Sequence, residues 1–504
     1  MKILFLGNNQ RNTDESVSYL ADSKLSVNNG LIEDSNFVPT EDGYYHTSIA
    51  DINFGGIVKL SKHFDQVQML DQPYQEWSSW KLLLSTYKVC KELEKNNIQV
   101  IFKNNKNIRS LEYFDRLVDE NKSFCIYPWM HFIEEHGKNV LCARSSYKKV
   151  CGRTESMENW DTNPEYVRIR NQMLNGEKVD DHCKYCYNLE AKGIESYRQF
   201  ETKEWAAKLN LQSIDDVKKI THPYYYEIRL SNKCNLMCRG CKPEWSHLIA
   251  REFAENGIEH PIKQVLEYSS LDVVDIDKLT PQSRIYLTGG EPTVMSEVYE
   301  FMRNCVEANK IDFEFTLGSN AQSITPGFIE LARHFNSIKF AISLDGFGKV
   351  NDYWRWKSDW NTVTRNMKLL EKEGHHISIN IVPGIYNATN LHLLYEYLDQ
   401  EFPMAGMYLQ INHNPWQSVF NHPNKEMVIE SMERCRKTNV YLTDGKSNRT
   451  TIDSIYNHYA DPNFEYDPVA LREFFMYNDK LDKARGSQLG DYIPELEACR
   501  SLVT

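Results

Sequence analysis

From residue 222 onward, short apolar runs alternate with longer stretches in which apolar positions recur every three or four residues. The runs YYYEIRL (224–230), RIYL (284–287), FEFTL (313–317), IKFAISL (338–344), ISINIV (377–382) and MYLQI (407–411) predict strands. The stretches near 243–256, 293–308, 325–335, 360–373 and 390–401 predict helices. Strand–helix alternation of this kind implies right-handed crossovers and a parallel sheet. Six units fall short of the eight in a closed barrel, so the expected α/β fold is a partial (β/α)6 TIM-like barrel or an open sheet.

The flanking segments read differently. Residues 1–120 contain strand-like KILFLG, VQMLDQP and IQVIF and a helical SSWKLLLSTYKVCKELEKNN, which predicts a small α/β domain without any dinucleotide or Walker pattern. Within it, the polar, aromatic and glycine-rich EDGYYHTSIADINFGG is a candidate binding loop, with a plain surface loop as the simpler reading. Over 121–221 periodicity fades while cysteine, glycine and turn residues increase, as in a small module pinned by metal. Residues 222–415 carry the alternation, and 416–504 read as a helical extension.

Composition narrows the class. A chain of 504 residues suggests two or three domains, and 41% hydrophobic with 25% charged residues matches soluble globular proteins. The net charge of −12 argues against a broad phosphate-binding surface, so nucleic acid is not an expected partner. The first apolar run stops at Leu6, and no stretch approaches the roughly 20 apolar residues of a membrane span, so a cytoplasmic location is expected. There, clustered cysteines are metal ligands or catalytic thiols more often than disulfides. Of the twelve cysteines, Cys90, Cys305, Cys435 and Cys499 stand alone and read as buried small hydrophobes; the other eight lie between 125 and 241. His375 and His376 read as surface residues, and Trp129, Trp160 and Trp354 as packing.

The stretch SNKCNLMCRGCKPEW places Cys234, Cys238 and Cys241 just past the first predicted strand of the alternating region. A structural zinc wants four closing ligands, and the nearest candidate for a fourth is His247. Three thiolates on an iron–sulfur cubane leave one iron open to chelate a ligand. With TGGEP (288–292) after the second strand, GSNA after the third, SLDG after the fourth and IVPGIYN after the fifth, the chain resembles the radical S-adenosylmethionine superfamily, whose signature is CxxxCxxC in the loop after the first barrel strand.

That resemblance implies a [4Fe–4S] cluster on Cys234, Cys238 and Cys241. It also implies an S-adenosylmethionine site in which Gly289, Gly290 and Glu291 hold the methionine amine and Ser319 and Asn320 lie near the ribose. Ser343 and Asp345 share the rim, Arg355 pairs with the methionine carboxylate, and the main chain around Val382 lines the adenine pocket. The residue before the third cysteine is usually aromatic in that superfamily and packs near the adenine; here it is Gly240, so that packing must come from elsewhere, with Trp245 a candidate. The implied chemistry is reductive cleavage of the sulfonium to a 5′-deoxyadenosyl radical that abstracts a substrate hydrogen, with an electron donor such as flavodoxin or ferredoxin. Which residues act as catalytic acids or bases is not readable.

Upstream, Cys125, Cys142, Cys183 and Cys186 form two separated pairs that could close a second cluster, with Cys151 an alternative ligand and a zinc ribbon the competing assignment. The pattern resembles the SPASM and twitch auxiliary modules, although here it precedes the barrel. The following LEAKGIESYRQ offers Glu190 and Arg198 as a salt bridge. Members of this layout modify peptides or small metabolites. Modification of a peptide or protein side chain is the first expectation, a radical step on a small metabolite the second, and a non-catalytic iron–sulfur scaffold or sensor the third.

Overall fold

The computed structural model of the chain describes residues 106–135, 137–145, 150–153, 160–193, 195–260, 269–412, 414–443 and 446–503, with short pieces at 3–7, 27–28, 31–32, 45–48, 66–69, 87, 91, 94 and 99–102. It divides into two compact units, 1–131 with 141–151 and 158–223, and 132–140 with 152–157 and 224–504.

In the first unit, strands Tyr45–Ser48, Ile3–Gly7, Gln66–Met69 and Gln99–Phe102 lie side by side in that order, all parallel. Only Tyr45–Ser48 of the candidate binding loop, and only Tyr87, Lys91 and Glu94 of the helix expected over 78–97, are among the described residues; the rest of both expectations, and Cys90, lie outside them. Helices Lys106–Glu120, Pro164–Leu174, Asp180–Glu190 and Tyr197–Lys208 are the longest of the unit's described helices. Local sequence explains their starts. Asn163 caps the second helix ahead of Pro164, which has no N–H to lose there, and Ser196 and Gln199 form a reciprocal capping box on the last.

The second unit contains the expected alternation. Strands β1 (Tyr225–Arg229), β2 (Arg284–Thr288), β3 (Glu314–Ser319), β4 (Ile338–Ser343), β5 (His376–Ile381) and β6 (Gly406–Leu409) lie in sequence order and pair in parallel. Helices α1 (His247–Glu255), α2 (Ser296–Glu307), α3 (Pro326–Ala332), α4 (Trp360–Lys372) and α5 (Leu391–Glu401) run between them. Apolar side chains on one face of the sheet meet these helices, as in Phe301 on Phe315 (6.0 Å) and Phe328 on Phe340 (5.9 Å). The opposite face carries Glu227, Arg229, Tyr286 and Thr288. Because the strands are parallel, their C-terminal ends and the loops that follow share one edge.

Two expectations need correction. The sheet has nine strands among the described residues, not six, because His131–Glu135, Lys138–Val140 and Val150–Arg153 extend it beyond β1. Part of the cysteine-rich segment therefore belongs to the barrel's sheet. His375 is no surface residue: it is buried against Phe340 at 5.7 Å, where loss of solvent lowers its pKa, while His376 is exposed as expected. Cys305, Cys435 and Cys499 are buried, as read from their isolation.

After β6 the chain forms helices Lys425–Cys435, Lys446–Ala460 and Pro468–Arg485. The last is capped by Asp467 and ends at Gly486, whose φ of 63° is the left-handed cap geometry glycine favours. Its Leu471, Phe474 and Phe475 share one apolar core with Tyr353, Trp354 and Tyr386.

Candidate metal and cofactor centre

The loop after β1 is shaped by what its backbone must approach. Glu291 donates its N–H to the Lys233 carbonyl at 2.8 Å, and a Cβ on Gly290 (φ +55°) would stand 2.2 Å from that same oxygen. A Cβ on Gly289 (φ +85°) would meet Arg229 main-chain atoms at 3.1–3.2 Å. The two glycines are thus required where the loop after β2 crosses the loop that leads to Cys234.

Cys234, Cys238 and Cys241 come together at this crossing. Burial pushes the Cys234 thiol up to about 12, with the Cys238 charge adding to it. Burial raises Cys241 still further, helped by Cys238 and Cys234. Burial raises Cys238 too, but Arg355 pulls it back down. Three half-buried thiols that repel one another's negative charge suit a cation, since thiolate ligands need positive charge to stay ionised. His247 turns Nδ1 toward the Cys234 N–H (3.3 Å) and the Asn232 carbonyl (3.2 Å), so that nitrogen is engaged with the main chain. A tetrahedral zinc would draw its sulfurs to about 3.8 Å of one another. Among the described residues no three cysteines bring their sulfurs within 4.8 Å; the one group of ligand atoms that tight is Glu165, Asp181 and His182. The Arg168 guanidinium donates to both of those carboxylates at 2.7–2.9 Å, which makes the group an ion-pair network.

Around the cysteines the rim residues interlock. Glu291 is 1% exposed and accepts from Thr293 Oγ1 (2.7 Å), Ser319 Oγ (2.8 Å) and the Asn320 N–H (2.6 Å). Burial raises its pKa, and these donors oppose the rise. Three donors crowd Oε1, counting the Thr293 N–H, while Oε2 takes only Asn320 and retains capacity for a further donor. Asn320 in turn donates to Asn235 Oδ1 (2.7 Å), tying the end of β3 to the cysteine loop. Asp345 takes Arg355 Nη1 at 2.7 Å on one oxygen and the Val382 N–H at 2.9 Å on the other. Burial would lower the Arg355 pKa, but the charges of Cys238 and Asp345 outweigh it and hold the guanidinium protonated. Its Nε is buried with no hydrogen-bond partner among the described residues. Ser343 ends β4 opposite Asn380. The structure therefore joins Glu291, Ser319 and Asn320 in one network and Asp345, Arg355 and Val382 in another. Charge coupling links Glu291 to Cys234, and Asp345 and Arg355 to Cys238.

A three-thiol set, a carboxylate with one open oxygen and a guanidinium with an orphaned N–H suit an open-iron cluster and a zwitterionic amino-acid ligand. The aromatic missing at Gly240 is supplied from elsewhere in the fold. A Cβ there would lie 3.0 Å from Trp354 Nε1, and one on Gly384 2.5 Å from Trp354 Cη2, so the indole fills the space between two glycines. Trp245 instead faces the Arg229 guanidinium at 5.4 Å.

Sequence reading overlooked the charged inner face of the sheet. Arg229 bridges Glu135 (3.3 Å) and Glu227 (3.2 Å), and burial pushes the nearby Tyr286 hydroxyl up to about 12. The signal was present: polar residues alternate in YYYEIRL and RIYLT, whereas strands covered on both faces are usually apolar throughout.

In the first unit, Cys125, Cys142, Cys183 and Cys186 share one neighbourhood. Burial raises the Cys183 thiol well above its usual value, and Cys125, Cys142 and Cys186 all add to the rise; burial brings Cys125 up to about 12. Cys151 is buried in strand Val150–Arg153. Glu190 and Arg198 do form a pair, at 2.7 Å, and it has a further consequence. Glu190 closes the helix that carries Cys183 and Cys186, while Arg198 also donates to the Phe124 carbonyl beside Cys125 at 2.7 Å, so one guanidinium binds both halves of the set. Arg198→Ala leaves the mostly buried Glu190 carboxylate with Ser196 Oγ but no charge partner, and is expected to destabilise this unit by about 3 kcal/mol, checked by urea unfolding.

Residues 228–397 match the model of the Radical SAM superfamily. No curated protein is similar enough to match the chain. Among solved structures it is similar to anSMEcpe with bound AdoMet (16% identity, TM-score 0.32, covering 43% of this chain and 56% of that one). It is also similar to Streptococcus suis SuiB bound to precursor peptide SuiA (14%, 0.30, 66% and 64%). A third is TsrM from Kitasatospora setae, a radical S-adenosylmethionine methyltransferase with cobalamin and a [4Fe-4S] cluster bound (10%, 0.29, 86% and 78%). The matches span less than two thirds of the first two of these chains.

Proposed function

We propose, from the premise that residues 228–397 are a Radical SAM domain, that this chain is a radical S-adenosylmethionine enzyme acting on a peptide or protein side chain. The observation that carries the enzyme reading is the gathering of Cys234, Cys238 and Cys241 with Arg355 at the C-terminal edge of a parallel six-strand run. A bound cluster would supply one electron to the sulfonium, splitting its carbon–sulfur bond into methionine and a 5′-deoxyadenosyl radical that takes a substrate hydrogen.

The chain's residues do the rest. Cys234, Cys238 and Cys241 would hold the cluster, three thiolates leaving one iron for the amino-acid ligand. Glu291 Oε2 receives the ammonium, and Arg355, oriented by Asp345, receives the carboxylate. Glycines 289 and 290 let the main chain approach the ligand. Arg229, Glu227 and Tyr286 line the face on which substrate lies, and the helices on the other face keep that side dry. Cys125, Cys142, Cys183 and Cys186 would hold an auxiliary iron–sulfur cluster, which with four protein thiolates would suit electron relay. The peptide substrate is supported by this layout, a cysteine-bearing segment that precedes the barrel in the chain.

The protein acts in the cytoplasm with a flavodoxin- or ferredoxin-type donor. Among the described residues no helix is long and apolar enough to cross a membrane. Anaerobically reconstituted protein given dithionite and S-adenosylmethionine is expected to release 5′-deoxyadenosine and methionine in equal amounts. Reconstituted protein with full iron that releases neither would leave only a scaffold or sensor. With perdeuterated candidate peptides, deuterium is expected in the 5′-deoxyadenosine; transfer from a small metabolite alone would displace the peptide reading.

A further inference from the structure

Two residues separate Cys238 from Cys241, and both are fixed by chain far outside the loop. Arg239 is fully buried. Its Nε donates to the Tyr353 carbonyl (2.9 Å), Nη1 to Asn478 Oδ1 (3.1 Å), and Nη2 to Asp482 Oδ1 (2.6 Å) and Ser487 Oγ (3.1 Å), while the guanidinium stacks 3.6 Å from the Tyr353 ring centroid. Its main chain is equally committed: the N–H goes to the Trp354 carbonyl (2.7 Å), and the carbonyl accepts from Tyr477 Oη (3.0 Å) and Gln417 Nε2 (3.1 Å). The other residue is Gly240, against which the Trp354 indole lies.

Three of these partners, Tyr477, Asn478 and Asp482, come from helix Pro468–Arg485, and a fourth, Ser487, follows its cap. Asn478, Asp482 and Arg485, at i, i+4 and i+7, form one polar stripe on a helix whose other buried positions are apolar. Asp482 also accepts from Tyr353 Oη (3.0 and 2.9 Å) and Ser487 Oγ (2.6 Å). Arg485 grips Glu252 of α1, the helix that follows the cysteine loop, through two bonds of 2.7 and 2.6 Å, both side chains nearly buried. Leu481 packs on Ile249 and Phe253, with Met237 and Cys241 against them. A buried charge without its partner is strongly unfavourable, so the loop is confined to conformations in which Arg239 faces this helix.

We infer that the C-terminal helix sets the spacing of Cys238 and Cys241, with Asp482 as the positioning residue acting through Arg239. This rests on the reading of the loop as the holder of an open-iron cluster. Asp482→Asn keeps the shape and removes the charge; Asp482→Glu keeps the charge; Glu473→Ala, exposed on the same helix, is the control.

In reconstituted full-length protein, Asp482→Asn is expected to lower the turnover number for 5′-deoxyadenosine release roughly tenfold, as small misplacements of a reacting group do. The electron paramagnetic resonance spectrum of its reduced cluster with S-adenosylmethionine is expected to change, with circular dichroism unaltered. Asp482→Glu is expected to recover most of the loss, and Glu473→Ala to behave as wild type. Should Asp482→Asn fail to fold, Arg239→Lys, which keeps the charge but loses the fork geometry, is expected to show the same spectral change. Wild-type spectrum and rate in the folded variant would overturn this inference alone. A wild-type protein whose cluster does not respond to S-adenosylmethionine would overturn the functional reading, and this inference with it.

Discussion

Replacing Cys234, Cys238 and Cys241 together by alanine is expected to abolish 5′-deoxyadenosine release while leaving about four irons per chain, half the wild-type content. The two effects separate because the cysteine sets lie in different units, each coupled by charge to cysteines of its own set. Three of the upstream four, Cys125, Cys183 and Cys186, are tied together within the first unit by the Glu190–Arg198 pair. Iron and sulfide analysis with product quantification checks both halves. Loss of all iron would mean that the upstream cysteines hold none, and retention of activity would remove the barrel loop from the chemistry.

Gly290→Ala is expected to be nearly as damaging although it removes no ligand. The added methyl would meet the Lys233 carbonyl oxygen at 2.2 Å, a main-chain atom that no rotamer change can move aside. The positive φ adds about 1–2 kcal/mol of strain for any residue with a Cβ. Relief requires the loop after β2 to lift away from the cysteine loop, carrying Glu291 and its bonds to Ser319 and Asn320 with it. An ångström of displacement at a reacting centre costs about 100-fold in rate. The expected result is a loss of that order in 5′-deoxyadenosine formation with iron content near wild type. Gly327→Ala, where no atom lies within 4 Å of the new methyl, is expected to change little.

How much of this could be read in the chain follows from where the determining contacts lie. The strands were legible within a few residues because each is a short apolar run bounded by turn residues, as IKFAISL is before Asp345 and Gly346. The cysteine loop and GGE turn were legible because spacing in sequence fixes them. The strand Lys138–Val140 was not, because three residues carry too little pattern, and neither was its place in a sheet whose six parallel strands begin nearly ninety residues later. Arg239 gave no signal, since the residues that hold it stand at 353 and 478–487. Trp354 was read as packing, which is what it does. Its relation to Gly240 exists only in space, where a missing side chain on one loop is filled from another.

On the proposed function, three sulfurs hold a cluster whose open iron takes an amino-acid ligand guided by Glu291 and Arg355. The most direct measurement is electron paramagnetic resonance of the singly reduced protein, with the upstream cysteines replaced so that one cluster contributes, recorded with and without S-adenosylmethionine. The account predicts a [4Fe–4S]+ signal whose g values shift on addition of S-adenosylmethionine, a shift weakened in Arg355→Ala. A signal that is identical in the presence and absence of S-adenosylmethionine would contradict it.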